Sequence, residues 1–210
     1  MSHVLLVDDH PIFRHALRAI ISRKQPHLSI LEAETLAGAR TVLAREPDVV
    51  LVLLDLKLSD CGGFTGLLSL KSEFSQVPVA VVSAKADTTT IKSAMALGAA
   101  GFIPKSAKRA DIARAVNAIL SGDLWVPSTM SANAIPTKVE AIASLTPAQL
   151  RILLGVQRGL RNKEIALEMG VVEQTVKAYM NVMFRKLGVQ SRTQAVILAQ
   201  SLAVGTDDDT

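Results

Sequence analysis

Short apolar runs alternate with segments whose apolar residues recur every three or four positions through residues 1–121. The runs at 4–7, 28–33, 49–54, 79–82 and 102–103 are rich in Val, Ile and Leu, the pattern of strands buried on both faces. Pro11, at a first helical position, leads a stripe of Ile12, Phe13, Ala16, Leu17, Ile20 and Ile21. Further helices are expected at 36–45, ended by Glu46-Pro47, at 64–74, and at 90–97, stopped by Gly98. A last one, N-capped by Ser106, has the apolar face Ile112, Ala115, Val116, Ile119 and Leu120. Five strand–helix units in succession predict an α/β domain with a doubly wound, five-stranded parallel sheet.

The pattern breaks over 122–144, where Pro127, Ser128, Ser131, Asn133 and Pro136 indicate a linker carrying a short helix near 139–143. From 145 to 204 it becomes all-helical. Thr146-Pro147-Ala148-Gln149 and Ser191-Arg192-Thr193-Gln194 read as capping boxes. Between them, 163–169 is stopped by Gly170 and 175–187 by Gly188. A short helix, a tight turn and a longer basic helix outline a helix-turn-helix within a small four-helix domain. The acidic tail 205–210 offers nothing to pack and is expected to be disordered.

Charge sharpens this division. The whole chain carries +4, whereas 145–204 holds eight basic residues against three acidic, a net +5. Such a unit suggests a polyanion partner, although a solvated helical surface would show the same balance. The apolar runs are too short to cross a bilayer, no secretory leader is apparent, and a single cysteine, Cys61, fits a reducing cytosol. Asp60, Gly62 and Gly63 around Cys61 suggest an exposed loop thiol. His3, His10, His15 and His27 show no pairing with cysteine and read as surface or loop residues.

Chemistry gathers where the strands end. Asp8 and Asp9 follow the first run, Asp55 the third, Ser83 the fourth, and Pro104-Lys105 the fifth. In a parallel sheet these ends share one edge, where ligands bind. Clustered carboxylates require a cation among them, and Mg²⁺, a hard oxygen-seeking ion, suits that place. The pocket predicted is one that handles phosphoryl groups.

These residues carry a resemblance. Asp8-Asp9-His10-Pro11, Asp55-Leu56 with Gly63, Ser83-Ala84 and Gly101-Phe102-Ile103-Pro104-Lys105 are similar to the receiver signature of two-component response regulators. Leu145-Thr146, Gly159-Leu160, Asn162-Lys163-Glu164-Ile165-Ala166, Thr175-Val176-Lys177, Lys186-Leu187-Gly188 and Ser191-Arg192-Thr193 are similar to the LuxR-type (NarL-like) output domain. The resemblance implies a flavodoxin-like receiver with strand order 2-1-3-4-5 over 1–121, a linker over 122–144 and a DNA-binding domain over 145–204. It makes Asp55 the phosphoacceptor for a sensor histidine kinase, with Lys105, Ser83 and the switch aromatic Phe102 assisting. Mg²⁺ would be ligated by Asp9, Asp55 and the backbone carbonyl of Lys57, with Asp8 acting through water. Double-stranded DNA would meet Lys177, Ala178 and Asn181, with phosphate contacts from Thr175, Lys163, Arg161 and Arg192. It also implies a cytoplasmic, non-enzymatic regulator that forms a homodimer on phosphorylation.

Several positions depart from the pattern. Ser59 stands where proline is usual, Arg151 where glutamate is, and Val172 where serine caps the recognition helix; Tyr179 and Val182 replace histidine and asparagine. Two other functions remain open on the residues. A phosphohydrolase using Asp55 is disfavoured by Lys57 at the place of its usual second acid, and a DNA-binding protein indifferent to phosphorylation by the intact acidic set.

Overall fold

The computed structural model describes residues 2–127 and 137–204. In chain order the first part runs β1 (His3–Val7), α1 (Pro11–Lys24), β2 (Ser29–Ala33), α2 (Leu36–Arg45) and β3 (Val49–Asp55). It continues through β4 (Lys57–Leu58), β5 (Cys61–Gly62), α3 (Thr65–Glu73), β6 (Val79–Ser83), α4 (Thr88–Ala96), β7 (Gly101–Pro104) and α5 (Arg109–Leu120). Then come α6 (Thr137–Ala143), α7 (Pro147–Gln157), α8 (Asn162–Met169), α9 (Glu173–Leu187) and α10 (Arg192–Val204).

Five strands form one parallel sheet in the order β2-β1-β3-β6-β7, which is 2-1-3-4-5 once the β4–β5 hairpin is set aside. Alternate side chains leave its two faces, as the pleat dictates. Leu5, Val7, Val52, Leu54, Val81 and Phe102 pack toward α2, α3 and α4, while Val4, Leu6, Leu51, Leu53, Val82 and Ile103 pack toward α1 and α5. Burying each such side chain contributes about 1.5–3 kcal/mol relative to leaving it in water, so two full layers hold the strand ends in fixed register. Asp60 ties the β4–β5 hairpin to the sheet's flank by accepting the Leu36 and Ala37 N–H groups, 2.9 and 3.0 Å, at the start of α2.

Some expectations shift. Ser106 does not cap α5: residues 104–107 turn, with Ala107 N–H donating to the Pro104 carbonyl, and Lys108 becomes the N-cap. α4 begins two residues earlier than its apolar pattern because Asp87 accepts from both the N–H and the hydroxyl of Thr90. Ile12 lies outside the buried stripe of α1, which runs through Arg14, Leu17 and Ile21 instead. The stretch read as linker is partly structural. Trp125 covers the outer edge of β7, accepting from Phe102 N–H at 2.9 Å and donating to the Ala100 carbonyl at 3.2 Å. A Cβ on Gly101 would meet the Trp125 carbonyl oxygen at 3.1 Å and Ile119 Cδ1 at 2.7 Å, so a larger residue would push Trp125 and Ile119 aside. Residues 128–136 of that stretch, and the acidic tail 205–210, lie outside the described residues.

In the helical part, Thr146 and Gln149 close a reciprocal capping box with Pro147 at the first helical position. Gly170 and Gly188 end α8 and α9 in the left-handed conformation, φ 65° and 66°. The second box closes differently. Ser191 Oγ accepts the Gln194 N–H, but the long Gln194 side chain reaches back past Ser191 to the Gln190 N–H, 2.8 Å. Val176, Met180, Met183 and Leu187 form the buried stripe of α9. α6 buries Val139 and Ile142 between α4 and α9, and α7 lies on α3, so the two apolar cores are continuous. Arg151 is exposed at the rim of a cleft of about 350 Å³ that Arg40 and Glu73 of the first part also line.

Cys61 is not an exposed loop thiol. It is half-buried on β5, and burial, helped by the negative charge of Asp60, pushes its thiol up to about 12. Alkylation by iodoacetamide at pH 8 is therefore expected to be slower in the native chain than in denaturant by on the order of 10³, since the unperturbed thiol titrates near 8.5. Equal rates in a time course read by mass would contradict this burial. Val172, the N-cap of α9, makes no side-chain capping bond and is 68% exposed. Val172→Ser should supply the missing acceptor and raise stability by roughly 0.5–2 kcal/mol, read as a higher urea midpoint.

Candidate functional site

Asp8 leaves β1 with its N–H on the Ala33 carbonyl, and Asp55 is the last residue of β3. Both carboxylates are buried, at 2% and 4% residue exposure. Lys105 follows β7, and its N–H donates to the Ser83 carbonyl at 2.8 Å, fastening the ends of β6 and β7 together. Its ammonium lies 2.7 Å from Asp8 Oδ2 and 2.7 Å from Asp55 Oδ2. The Phe13 ring, 4.9 Å from Nζ, forms one wall for that ammonium. The other Asp55 oxygen accepts the Lys57 N–H at 3.2 Å. Residues from four strand ends thus meet in one pocket.

Burial, reinforced by the charge on Asp8, raises Asp55 above the usual carboxylate range even though Lys105 opposes the shift. Burial by itself would lower Lys105, but its bonds to Asp55 and Asp8 outweigh that and raise it. An isolated ion pair would show the acid lowered and the base raised. Here one ammonium is shared by two buried carboxylates, so negative charge is left over. Asp9 adds a third carboxylate whose Oδ1 is shielded from solvent without a hydrogen bond. Together with His10 these groups present donor atoms all within 4.8 Å of one another. Oxygen donors in excess of local positive charge fit a hard divalent ion such as Mg²⁺.

Two residues of this pocket escaped the sequence reading. His10 is not merely a surface residue: its Nδ1 stands 2.8 Å from Asp9 Oδ1 and 3.1 Å from Asp8 Oδ1. Arg14 is buried and donates to the Asp8 carbonyl at 2.6 Å while its other nitrogens hold Glu32 and Glu34, 3.1 and 2.7 Å away. A charged residue on the stripe shared with Leu17 and Ile21 was the available signal for Arg14. Ser83 is buried, with its hydroxyl accepting the Lys85 N–H. Phe102 is wholly buried in the core. Lys57, on β4, turns its N–H toward Asp55.

The second cluster lies on α9. Lys177, Ala178 and Asn181 are exposed on the face opposite its buried stripe, and Lys177 pairs with Glu173 at 2.9 Å. Lys163 and Arg161 are exposed at the start of α8, and Thr175 is half-buried in the first turn of α9. Arg192 differs from these. Its guanidinium is turned inward to the Leu160 carbonyl and Asn162 Oδ1, bracing α10 against the loop before α8.

Comparison with known proteins identifies the family of each part of the chain. The family described as "Response regulator receiver domain" matches residues 4–117, and "Bacterial regulatory proteins, luxR family" matches residues 143–199. The chain is 33% identical to the glycerol metabolism activator of Pseudomonas putida over 95% of each protein. It is 32% identical to the DNA-binding transcriptional activator DevR/DosR of Mycobacterium tuberculosis, covering 96% of this chain and 95% of that one. Among solved structures, a LuxR family DNA-binding response regulator from Silicibacter pomeroyi aligns with TM-score 0.55 at 32% identity, over 61% of this chain and 99% of that one. RcsB from Salmonella enterica serovar Typhimurium, bound to a promoter, shares the fold with TM-score 0.57 at 20% identity over 95% and 98% of the two chains. The chain belongs to the response regulators of two-component signalling, in the group that joins a receiver domain to a LuxR-type helix-turn-helix domain.

Proposed function

We propose that this chain is a phosphorylation-switched transcriptional regulator in which Asp55 accepts a phosphoryl group from a sensor histidine kinase and residues 145–204 read double-stranded DNA. The observation that carries the first part is the single ammonium of Lys105 bridging Asp8 and Asp55 at the sheet edge. The Asp55 carboxylate attacks phosphorus, the bond from phosphorus to the histidine nitrogen breaks, and that nitrogen takes up a proton, leaving an acyl phosphate on Asp55. Asp9, Asp55 and the Lys57 carbonyl would hold Mg²⁺, with Asp8 acting through water. When bound, the ion supplies positive charge to the transferring group. Lys105 offers its ammonium to a phosphoryl oxygen, and the Ser83 hydroxyl turns to donate to the modified Asp55.

The added charge of roughly −1.5 to −2, taking serine phosphate as a guide, draws Ser83 inward, and the loop from Ser83 leads directly into α4. α4 is covered by α6, so a change there reaches the helical domain. In DNA, α9 enters the major groove with Ala178 and Asn181 toward base edges and Lys177 on a phosphate or a base edge, while Thr175, Lys163 and Arg161 meet phosphates. Arg192, occupied internally, serves the fold before any phosphate. One chain supplies one recognition helix, so a homodimer formed on phosphorylation would bind two half-sites. Solved RcsB structures include two dimers bound to parallel DNAs. No helix among the described residues is long and apolar enough to cross a membrane, and the work proposed belongs to the cytoplasm.

Incubation with Mg²⁺ and acetyl phosphate should add one phosphoryl group to the wild-type chain and none to Asp55→Asn, measured by intact mass. Equal labelling of the variant would remove Asp55 as the acceptor. Lys177→Ala should weaken DNA binding and make the plot of log K against log salt shallower by about one. An unchanged slope in fluorescence-anisotropy titrations would take Lys177 off the phosphate backbone.

A further inference from the structure

We infer that Arg14 is a positioning residue for phosphoryl transfer: it fixes the peptide plane between Asp8 and Asp9 and thereby aims the Asp9 carboxylate into the pocket. The inference rests on the reading of Asp55 as phosphoacceptor and Asp9 as cation ligand. It adds a residue that touches neither the ion nor the phosphoryl group.

Asp9 sits between two peptide planes, and both are held. The plane before it carries the Asp8 carbonyl, which accepts from Arg14 Nη1 at 2.6 Å. The plane after it carries the His10 N–H, which donates to Asp8 Oδ1 at 2.8 Å. Peptide units are rigid, so the two torsions between these planes are set once both are fastened. The Asp8 N–H is fastened too, to the Ala33 carbonyl at the end of β2. Within this set, Arg14 is the side chain that comes from outside the acidic loop.

Arg14 is itself immobilised. It is 6% exposed, and its other nitrogens stand 3.1 Å from Glu32 Oε2 and 2.7 Å from Glu34 Oε1. Arg18 makes a second contact to Glu32 at 2.9 Å. Two arginines meet two glutamates, so the group presents little net charge to the pocket, and its hold on the Asp8 carbonyl acts through geometry. The placement also runs against packing. Arg14 lies on the buried stripe of α1 with Leu17 and Ile21, which belong to the apolar layer on that face. A buried ionic group adds little stability compared with an apolar side chain of similar size, so its use at this place points to orientation. The planar fork matters as well. Its directed donors reach Asp8, Glu32 and Glu34 at once, which an ammonium on a single stem does not reproduce.

Arg14→Met and Arg14→Lys test this in the full-length chain. Labelling by acetyl phosphate is followed by intact mass over a series of MgCl₂ concentrations, and backbone amides are followed by ¹⁵N–¹H correlation spectra. In both variants the half-saturating Mg²⁺ concentration should rise at least about tenfold, while the rate at saturating Mg²⁺ stays within about threefold of wild type. The Asp9 and His10 amide signals should move, those of Val52 and Val81 in the sheet core should stay in place, and urea midpoints should match wild type. An unchanged half-saturation in Arg14→Met would overturn the role. So would full recovery in Arg14→Lys, which makes charge rather than geometry the cause. Shifts that spread to Val52 and Val81 together with a lowered urea midpoint would overturn it too, by making Arg14 a residue of general stability. The underlying reading fails in a different way: the wild-type chain would then gain no phosphoryl group at any Mg²⁺ concentration.

Discussion

Lys105 Nζ stands midway between two buried carboxylates, 2.7 Å from each, and the organisation of the receiver follows from that sharing. One positive charge cannot neutralise Asp8 and Asp55 together, and Asp9 adds further negative charge beside them. The pocket is thus held together by Lys105 and still attracts cations. A buried ion pair removed from either side costs several kcal/mol because the remaining charge has no partner. The fold must therefore hold four strand ends in register before the chemistry exists, and the two apolar layers on the sheet supply that rigidity.

The same residues connect the pocket to its surroundings. The backbone of Lys105 is bonded to Ser83, and Ser83 begins the loop into α4. Arg14 holds the carbonyl of Asp8 from the opposite side, so the acidic loop is braced by α1 as well as by β2. α4 is bounded by the receiver core on one face and by α6 on another. Under the proposed function, a charge placed on Asp55 would act on this arrangement through contacts a few residues long. α6 packs against α9 in turn, and apolar side chains packed in this way have little room to deform continuously.

The output domain divides its surface by the 3.6-residue period. Val176, Met180, Met183 and Leu187 bury one side of α9, which leaves Lys177, Ala178 and Asn181 together on the other. The departures from the family pattern sort by the same logic. Val172 removes a cap without removing the helix, because the buried stripe of α9 carries most of its stability. Arg151 is accommodated because it is exposed on α7 rather than turned into the domain's interior.

Periodicity was enough to read the strand and helix order, the parallel sheet and the helix-turn-helix, because burial on two faces or one leaves a direct mark on residue spacing. The convergence of Asp8, Asp9, Asp55 and Lys105 was also legible, since parallel strands send their ends to one edge. Local hydrogen bonding was less so: the competing turn at 104–107 displaced the cap expected at Ser106, and Asp87 started α4 early. What only the tertiary structure decided are the partners. Arg14 gains its place from Glu32 and Glu34 on β2 and the turn after it, Arg192 is drawn inward by the loop before α8, Cys61 is half-buried beside α3, and the His10 ring is hydrogen-bonded to Asp8. Each depends on the direction of a side chain relative to its neighbours in space, a quantity that hydrophobic spacing does not encode.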